Sequence, residues 1–339
     1  MTDRRRAHDS PKISVIILNY NGIEFIVDCL DSVLSSVHPS FEVIVVDNAS
    51  TDGSVEQVKS RCTGDPRLRM IPLDENVGSA RGNNVGVRHA RGGYVVFLNP
   101  DTRVNSHWLT ELIDVMERDE TIAAAQAKLM SLWDPRRLDS AGIAINPMGL
   151  EYLLGHGVVD RGQFDELGEI LAASGAAMMT RKDVLEEVGG FDPSFFMYFE
   201  DTDLCWRMRL VGYKIVLAPK AAVLHWRGGS AGPQQGSSLV YHSTRNHLRM
   251  WIKNLGWSRL VRYLPLSLAY FVGSSVRDII ARGRTDLGVA RIRSLVWVLR
   301  NLSLIWPSRK KVQNSRKASD RQLFGRLRLS PRGARSVPR

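Results

Sequence analysis

Four short runs in the first hundred residues are apolar almost without interruption: 13–19 (ISVIILN), 41–47 (FEVIVVD), 68–73 (LRMIPL) and 94–99 (YVVFLN). Between them, roughly 23–37, 53–62 and 79–90 repeat their apolar residues at helical spacing. Strands apolar on both faces and joined by helix-length connections predict a parallel sheet covered on both sides. Right-handed crossovers make that an α/β, doubly wound, Rossmann-like layer.

The second half is less regular. The segment 174–192 reads as a small-residue strand, a helix from about Arg181 to Val188, and a stop at Gly189-Gly190. The segment 196–219 opens on aromatics, enters a helix near Asp201, ends it at Gly212 and continues as a strand. A separate short strand, 221–230, leads into a glycine loop.

In open α/β sheets, ligands bind beyond the carboxyl ends of the strands. Those ends read Asn19-Tyr20-Asn21-Gly22, Asp47-Asn48-Ala49-Ser50, Asp74-Glu75-Asn76-Val77-Gly78 and Asn99-Pro100-Asp101. Turn chemistry alone accounts for any one of them; four on one rim point to a polar cleft. No G-x-G-x-x-G follows the first strand, so a dinucleotide turn is not expected. The glycines come later, in ENVGSARGNN (75–84). There Gly78 and Gly82 allow close backbone approach, and Arg81 offers a planar donor for phosphate or a base.

Three acid–base candidates follow. Asp101, at a strand tip, fits either a cap for the helix that begins near Ser106 or a ligand for Mg²⁺ or Mn²⁺ on a diphosphate. Glu200, Asp201 and Asp203 crowd a helix start, where the macrodipole offsets some repulsion; for Asp203 that reading suffices. Asp201 follows the aromatic run 195–199, an apolar wall beside a candidate general base. His225 stands between Leu224 and Trp226 and before Arg227-Gly228-Gly229-Ser230. That setting suits a packed histidine or one that reaches a metal or diphosphate.

Charge changes the picture only once it is located. The net charge is +11, and 307–339 carries eleven Lys or Arg against one acid, Asp320. The rest of the chain is nearly neutral, so a nucleic-acid-binding body is not expected, and no aromatic platform for bases accompanies the tail. The tail reads as disordered or weakly helical and suited to an anionic membrane surface. Cys29, Cys62 and Cys205 are odd in number and widely spaced, which predicts neither disulfides nor a zinc site and fits a reducing cytosol. The run after Arg4-Arg5-Arg6 is a first strand rather than a signal peptide, and no segment is long enough to span a bilayer.

Beyond Ser230, a helix over 237–255 carries His242, Arg245, Arg249 and Lys253 on one stripe and Tyr241, Leu248, Trp251 and Leu255 on another. Two short apolar stretches follow, 263–276, broken by Pro265, and 294–306. These fit packing onto the preceding domain or an in-plane membrane helix.

Taken in order, SVIILNYNG, VIVVDNASTDGS, ENVGSARGNN, FLNPDT, GGFDPSFFMYFEDTDLCWR and AVLHWRGGS resemble the family 2 glycosyltransferases of GT-A fold. The resemblance covers about residues 12–230 and is nearest to the rhamnosyltransferase-like branch of bacterial cell-envelope enzymes. It implies an inverting transfer of a sugar, rhamnose among the candidates, from a nucleotide-diphosphate donor to a glycan or polyprenyl-linked acceptor. It implies that Asp47 holds the base or ribose, that Arg81 and its loop line the nucleotide, and that Asn19, Asn76, Gly78 and Asn99 contribute to the donor site. Asp101 matches the last acid of the Asp-x-Asp motif that binds a divalent cation, Mg²⁺ or Mn²⁺. Asp201 matches the Glu-Asp base, His225 falls near metal and diphosphate, and Glu200 and Arg245 are secondary candidates. Asn99 departs from the pattern, because an amide replaces the first Asp and contributes no charge.

The expected organisation is a flexible 1–11, a GT-A domain over 12–236, an amphipathic helical region over 237–306 and a basic tail over 307–339. The expected location is the cytoplasm, peripheral on the inner face of the cell membrane. A sugar-1-phosphate nucleotidyltransferase shares the α/β layer but is expected to carry a basic Gly-rich loop where this chain has NYNGIEF. A non-catalytic glycan- or lipid-binding relative is expected to lack the acid at 101 or 201.

Overall fold

The computed structural model describes residues 11–145, 150–228 and 236–325. The first half runs β1 (Ile13–Asn19), α1 (Ile26–Leu34), β2 (Phe41–Asp47), α2 (Ser54–Cys62), β3 (Leu68–Pro72), α3 (Gly78–His89) and β4 (Tyr94–Leu98). Next come β5 (Thr102–Val104), α4 (Trp108–Glu117), β6 (Ile122–Ser131), β7 (Leu138–Ser140), β8 (Ile143–Ile145) and β9 (Glu151–Leu153). Then follow β10 (Ala177–Arg181), α5 (Lys182–Val188), α6 (Glu200–Leu210) and β11 (Lys214–His225). Five α-helices and a π-helical turn (Arg277–Ala281) close the described chain: α7 (Ser237–Asn254), α8 (Trp257–Val276), α9 (Thr285–Arg300), α10 (Leu302–Ser315) and α11 (Asp320–Gly325).

Among the described residues, nine strands form one sheet in the order β3-β2-β1-β4-β10-β6-β11-β5, with β7 on β6. The predicted strands β3, β2, β1 and β4 are mutually parallel, and β10 inserts antiparallel between β4 and β6. Side-chain alternation explains why the strands read as apolar throughout. Ile13, Val15 and Ile17 pack with Ile26, Leu30 and Val33 of α1 and Trp108 and Leu112 of α4. Ile16 turns the other way, into a core with Ala80 of α3, Leu185 of α5 and Trp206 of α6. A Cβ on Gly82 would stand 2.4 Å from Leu18 Cδ1, and one on Gly86 2.5 Å from Ile16 Cγ2. These glycines, four apart on one helix face, let α3 lie directly on β1. The closeness expected of Gly82 therefore serves the core, not a ligand.

Several boundaries differ from the sequence reading. The two strands expected over 213–219 and 221–230 are one, β11, whose ladder with β6 shifts register between Ala218 and Ala222. Pro219 falls in that shift, where its missing N–H costs no ladder bond. Pro265 does not break its stretch but lies within α8, as Pro307 lies within α10. Val261 and Ser303, whose carbonyls lose the usual helical donor at these prolines, are exposed residues.

The charged stripe of α7 faces inward. Arg245, Arg249 and Lys253 are buried, as are Leu248 and Trp251, and acids from distant segments meet Arg249 and Lys253. Lys253 Nζ lies 2.7 Å from Asp192 Oδ2 and 2.7 Å from Asp203 Oδ1. The basic segment from Pro307 is also packed where it is described. Arg309 Nη1 donates to Ile252 O at 2.6 Å and Leu255 O at 2.7 Å, capping the end of α7, while Val312 and Leu323 join the core. Of the two readings of the tail, disordered or weakly helical, the described part takes the helical one in α10 and α11, and Arg309 there finds orphan helix carbonyls. The rest of that tail (326–339), the N-terminal residues 1–10, and Gly229 and Ser230 lie outside the described residues. Among those described, the three cysteines are free, and no helix is long and apolar enough to cross a membrane.

Candidate active site

The ends of β1, β2 and β3 are tied into one rim. Asn19 and Asp47 are register partners, and Asn19 Nδ2 donates to Asp47 Oδ1 at 3.0 Å. Asp47 Oδ2 accepts from Ser50 N at 3.1 Å, which closes the turn. Asn48 Nδ2 donates to Asn76 Oδ1 at 2.8 Å, and that oxygen also accepts from Gly78 N at 3.0 Å. Asn19, Asp47, Asn76 and Gly78 are therefore brought together. Gly78 takes φ +81, and a Cβ there would stand 2.3 Å from Phe196 O, which accepts from Ser79 N at 2.6 Å. Only glycine fits that left-handed contact with backbone. Arg81 is exposed at the side of this rim, its Nε donating to Pro193 O at 3.1 Å.

The second group forms where β5 pairs antiparallel with β11, setting Thr102 opposite His225. That pairing brings Asp101, buried at the tip of β4, to His225: Nε2 lies 3.5 Å from Asp101 Oδ1. The other ring nitrogen, Nδ1, lies 2.8 Å from Asp139 Oδ2. His156 Nδ1 is 3.3 Å from Asp139 Oδ1, and Arg227 Nη1 is 3.2 Å from His156 Nδ1. Burial disfavours the imidazolium of His225, yet Asp101 and Asp139 on either side push its pKa up to about 9. Burial likewise opposes ionisation of Asp139, but His156, His225 and Arg227 hold it well below the usual carboxylate range. Asn99 reaches the same place through its backbone, its N donating to Ala176 O at 3.1 Å.

Beside this pair stands an aromatic wall. Trp226, whose N donates to Asp101 O at 2.9 Å, meets Phe25 edge-on at 4.6 Å and Trp133 at 4.7 Å. Asp139, His156 and Trp133 escaped the sequence reading. They lie in a stretch of short strands and turns with no apolar periodicity, and no local signal announces them.

The third group surrounds Asp201. Tyr198 and Phe199 both take φ 68, the left-handed region, and Asn246 of α7 holds that turn by donating to Met197 O at 2.8 Å and Tyr198 O at 2.9 Å. The turn starts α6 with Glu200 and Asp201 part-exposed. Asp201 Oδ2 accepts from Gly175 N at 3.1 Å, one residue from the Ala176 carbonyl that bonds Asn99. The segment 174–176 thus links Asp201 to the tip carrying Asp101. Asp203 is not a solvent-facing member of a charged helix start. It is fully buried, with Arg207 Nε at 2.9 Å besides Lys253. Arg245 lies apart from the rim, its guanidinium 5.0 Å over the Trp297 ring and 5.5 Å over Tyr241.

Residues 14–189, more than half of the chain, match the family described as Glycosyl transferase family 2. The low-salt glycan biosynthesis hexosyltransferase Agl10 of Haloferax volcanii is 28% identical over 243 residues, covering 69% of this chain and 73% of that protein. The O-antigen biosynthesis protein RfbC of Myxococcus xanthus is 27% identical over 251 residues, 72% of this chain and 19% of its own length. The chain spans a quarter or less of two such curated relatives, RfbC and an uncharacterized protein, y4gI, of Sinorhizobium fredii. Among solved structures, the mannosyltransferase PcManGT from Pyrobaculum calidifontis, in complex with GDP-Man and Mn²⁺, superposes with a TM-score of 0.53. It shares 16% identity over 90% of this chain and 84% of that one, a likeness of fold. The chain belongs to glycosyl transferase family 2 and is built on the GT-A fold.

Proposed function

We propose that this chain moves a sugar from a nucleotide-diphosphate donor to a hydroxyl of a cell-envelope glycan or lipid-linked acceptor, with inversion at the anomeric carbon. The observation that carries the reading is the link Asp201–Gly175–Ala176–Asn99, which joins the candidate base to the strand tip bearing Asp101 and His225. Asn19, Asp47, Asn76 and the Gly78 loop line the neighbouring rim for the nucleotide. The names of RfbC and Agl10, in O-antigen and glycan biosynthesis, support the acceptor class.

The chain's own residues fit a divalent cation only in part. Among the described residues no three His, Cys, Asp or Glu side chains gather as a ligand set. Asp101 and His225 would offer one carboxylate oxygen and one imidazole nitrogen, a set that would suit Mg²⁺ or Mn²⁺ only with further oxygen ligands from outside the chain. The Mn²⁺ beside GDP-Man in PcManGT supports that assignment. When bound, the cation supplies positive charge against the leaving diphosphate. Asp139 orients His225 and keeps its Nε2 facing Asp101.

Asp201 accepts the proton of the attacking hydroxyl as the new C–O bond forms and the bond from the anomeric carbon to the diphosphate oxygen breaks. The electron pair leaves with the nucleoside diphosphate, through a transition state of oxocarbenium character. One base and one stabilised leaving group suffice, with no enzyme nucleophile. The experiment is a donor panel (dTDP-rhamnose, UDP-galactofuranose, UDP-GlcNAc, GDP-mannose) with Mg²⁺ or Mn²⁺ and membrane extract, scored by nucleoside diphosphate release. Release with one donor identifies it; no release with any donor favours the binding-module reading.

A further inference from the structure

The exposed surface is unevenly apolar. Of the 18 large hydrophobic side chains most open to solvent among the described residues, 14 lie between Trp257 and Trp306. On α8 the outward positions 261, 266, 270, 272 and 276 are Val, Leu, Tyr, Val and Val, and Ile280 follows them. Val261 is 68% exposed, Leu266 56% and Ile280 79%. A helix that faces water carries polar residues there; α8 has no acid anywhere along its length. The neighbouring helix α9 continues the surface with Val289, Ile292 and Val296, which line an open groove of about 980 Å³ together with Arg293 and Arg300. A contiguous apolar face of this kind marks a docking surface.

Charge identifies the occupant. Residues 257–325 hold 14 Lys or Arg against three Asp, a net +11 equal to that of the whole chain. Two of the three acids are buried in ion pairs, Asp278 with Arg282 and Arg291, and Asp320 with Arg316. The face turned to solvent is therefore apolar and rimmed by cations. A second copy of the chain would set this rim against itself, whereas an anionic lipid surface offers both an apolar interior and complementary charge.

We propose that α8 and α9 lie on an anionic membrane surface, with the side chains of Val261, Leu266, Val272, Val276 and Ile280 entering the headgroup–acyl boundary. The exposed basic residues, Arg262, Arg293 and Arg300 among them, engage the headgroups, and the α7–α9 groove opens at that interface. This assigns membrane contact to packed helices of the body rather than to the terminal tail, and it is independent of the donor and acceptor chemistry.

The test is flotation of the full chain with neutral phosphatidylcholine vesicles and with vesicles containing phosphatidylglycerol. The comparison variants are the triple substitution Val261→Asp, Leu266→Asp, Val272→Asp and, separately, deletion of 326–339. The expected result is binding to the anionic vesicles, weakened by added salt, kept by the tail deletion, and reduced about tenfold or more by the triple variant. Circular dichroism and a thermal melt show whether the triple variant remains folded; if it does not, the single Ile280→Asp variant serves the same comparison. Absence of vesicle binding, binding unchanged by the substitutions, or a lipid-free dimer dispersed by them would overturn the proposal.

Discussion

His225 is clasped between two carboxylates: Nδ1 lies 2.8 Å from Asp139 Oδ2, and Nε2 lies 3.5 Å from Asp101 Oδ1. Asp139 comes from the short strand β7, 86 residues away in sequence, and it sets which nitrogen of the ring faces Asp101. A partner that orients a ligating histidine is worth about 10–100-fold in metal affinity. Asp139→Asn is therefore expected to weaken Mn²⁺ binding to the donor-loaded protein by about that factor while leaving the fold intact. Calorimetric titration with Mn²⁺ in the presence of nucleoside diphosphate measures it; unchanged affinity would remove Asp139 from the site.

The placement of Asp201 depends on α7, and α7 depends on buried charge. Asp192 is held well below the usual carboxylate range: burial opposes this, but Lys253 at 2.7 Å and the nearby Arg249 outweigh it. A carboxylate whose pKa is depressed by folding contributes stability above its unfolded pKa and loses it as pH falls through the folded value. Folding free energy is thus expected to decline on acidification below the ordinary carboxylate range, and Asp192→Asn is expected to flatten that decline. Denaturant unfolding across pH, wild type against variant, checks the sign.

Gly78 couples the nucleotide rim to the aromatic turn before α6. A methyl group there meets Phe196 O at 2.3 Å on a backbone at φ +81, so Gly78→Ala is expected to cost about 1–3 kcal/mol of stability. It is also expected to raise the donor KM more than it lowers kcat. A thermal melt and initial rates over a donor range separate the two effects.

The legible part of this fold is the part whose strands are buried on both faces. β1 and β2 begin and end where their apolar runs do, because a parallel sheet covered by helices leaves no polar face to interrupt the pattern. The rim residues Asn19, Asp47 and Asn76 followed from that topology. Asp139 and His156 did not, because their roles arise from contacts across long stretches of chain rather than from local period. The α7 stripe left packing and an in-plane membrane helix open for the same reason: Arg249 and Lys253 find their buried partners, Asp192 and Asp203, only when other segments arrive. Pro265 looked like a break because the sequence does not reveal that the residue four before it, Val261, lies exposed on α8.

In the proposed transfer Asp201, held at 3.1 Å by Gly175 N, removes the acceptor proton and takes no part in holding the donor. Asp201→Asn keeps the shape of the side chain and its place at the start of α6. Donor binding and transfer rate measured on the same Asp201→Asn preparation, once the donor is identified, test this directly. Donor affinity is expected to stay close to wild type, with transfer lowered by about 10²–10⁴-fold. Transfer at the wild-type rate, or donor affinity lost along with it, would contradict it.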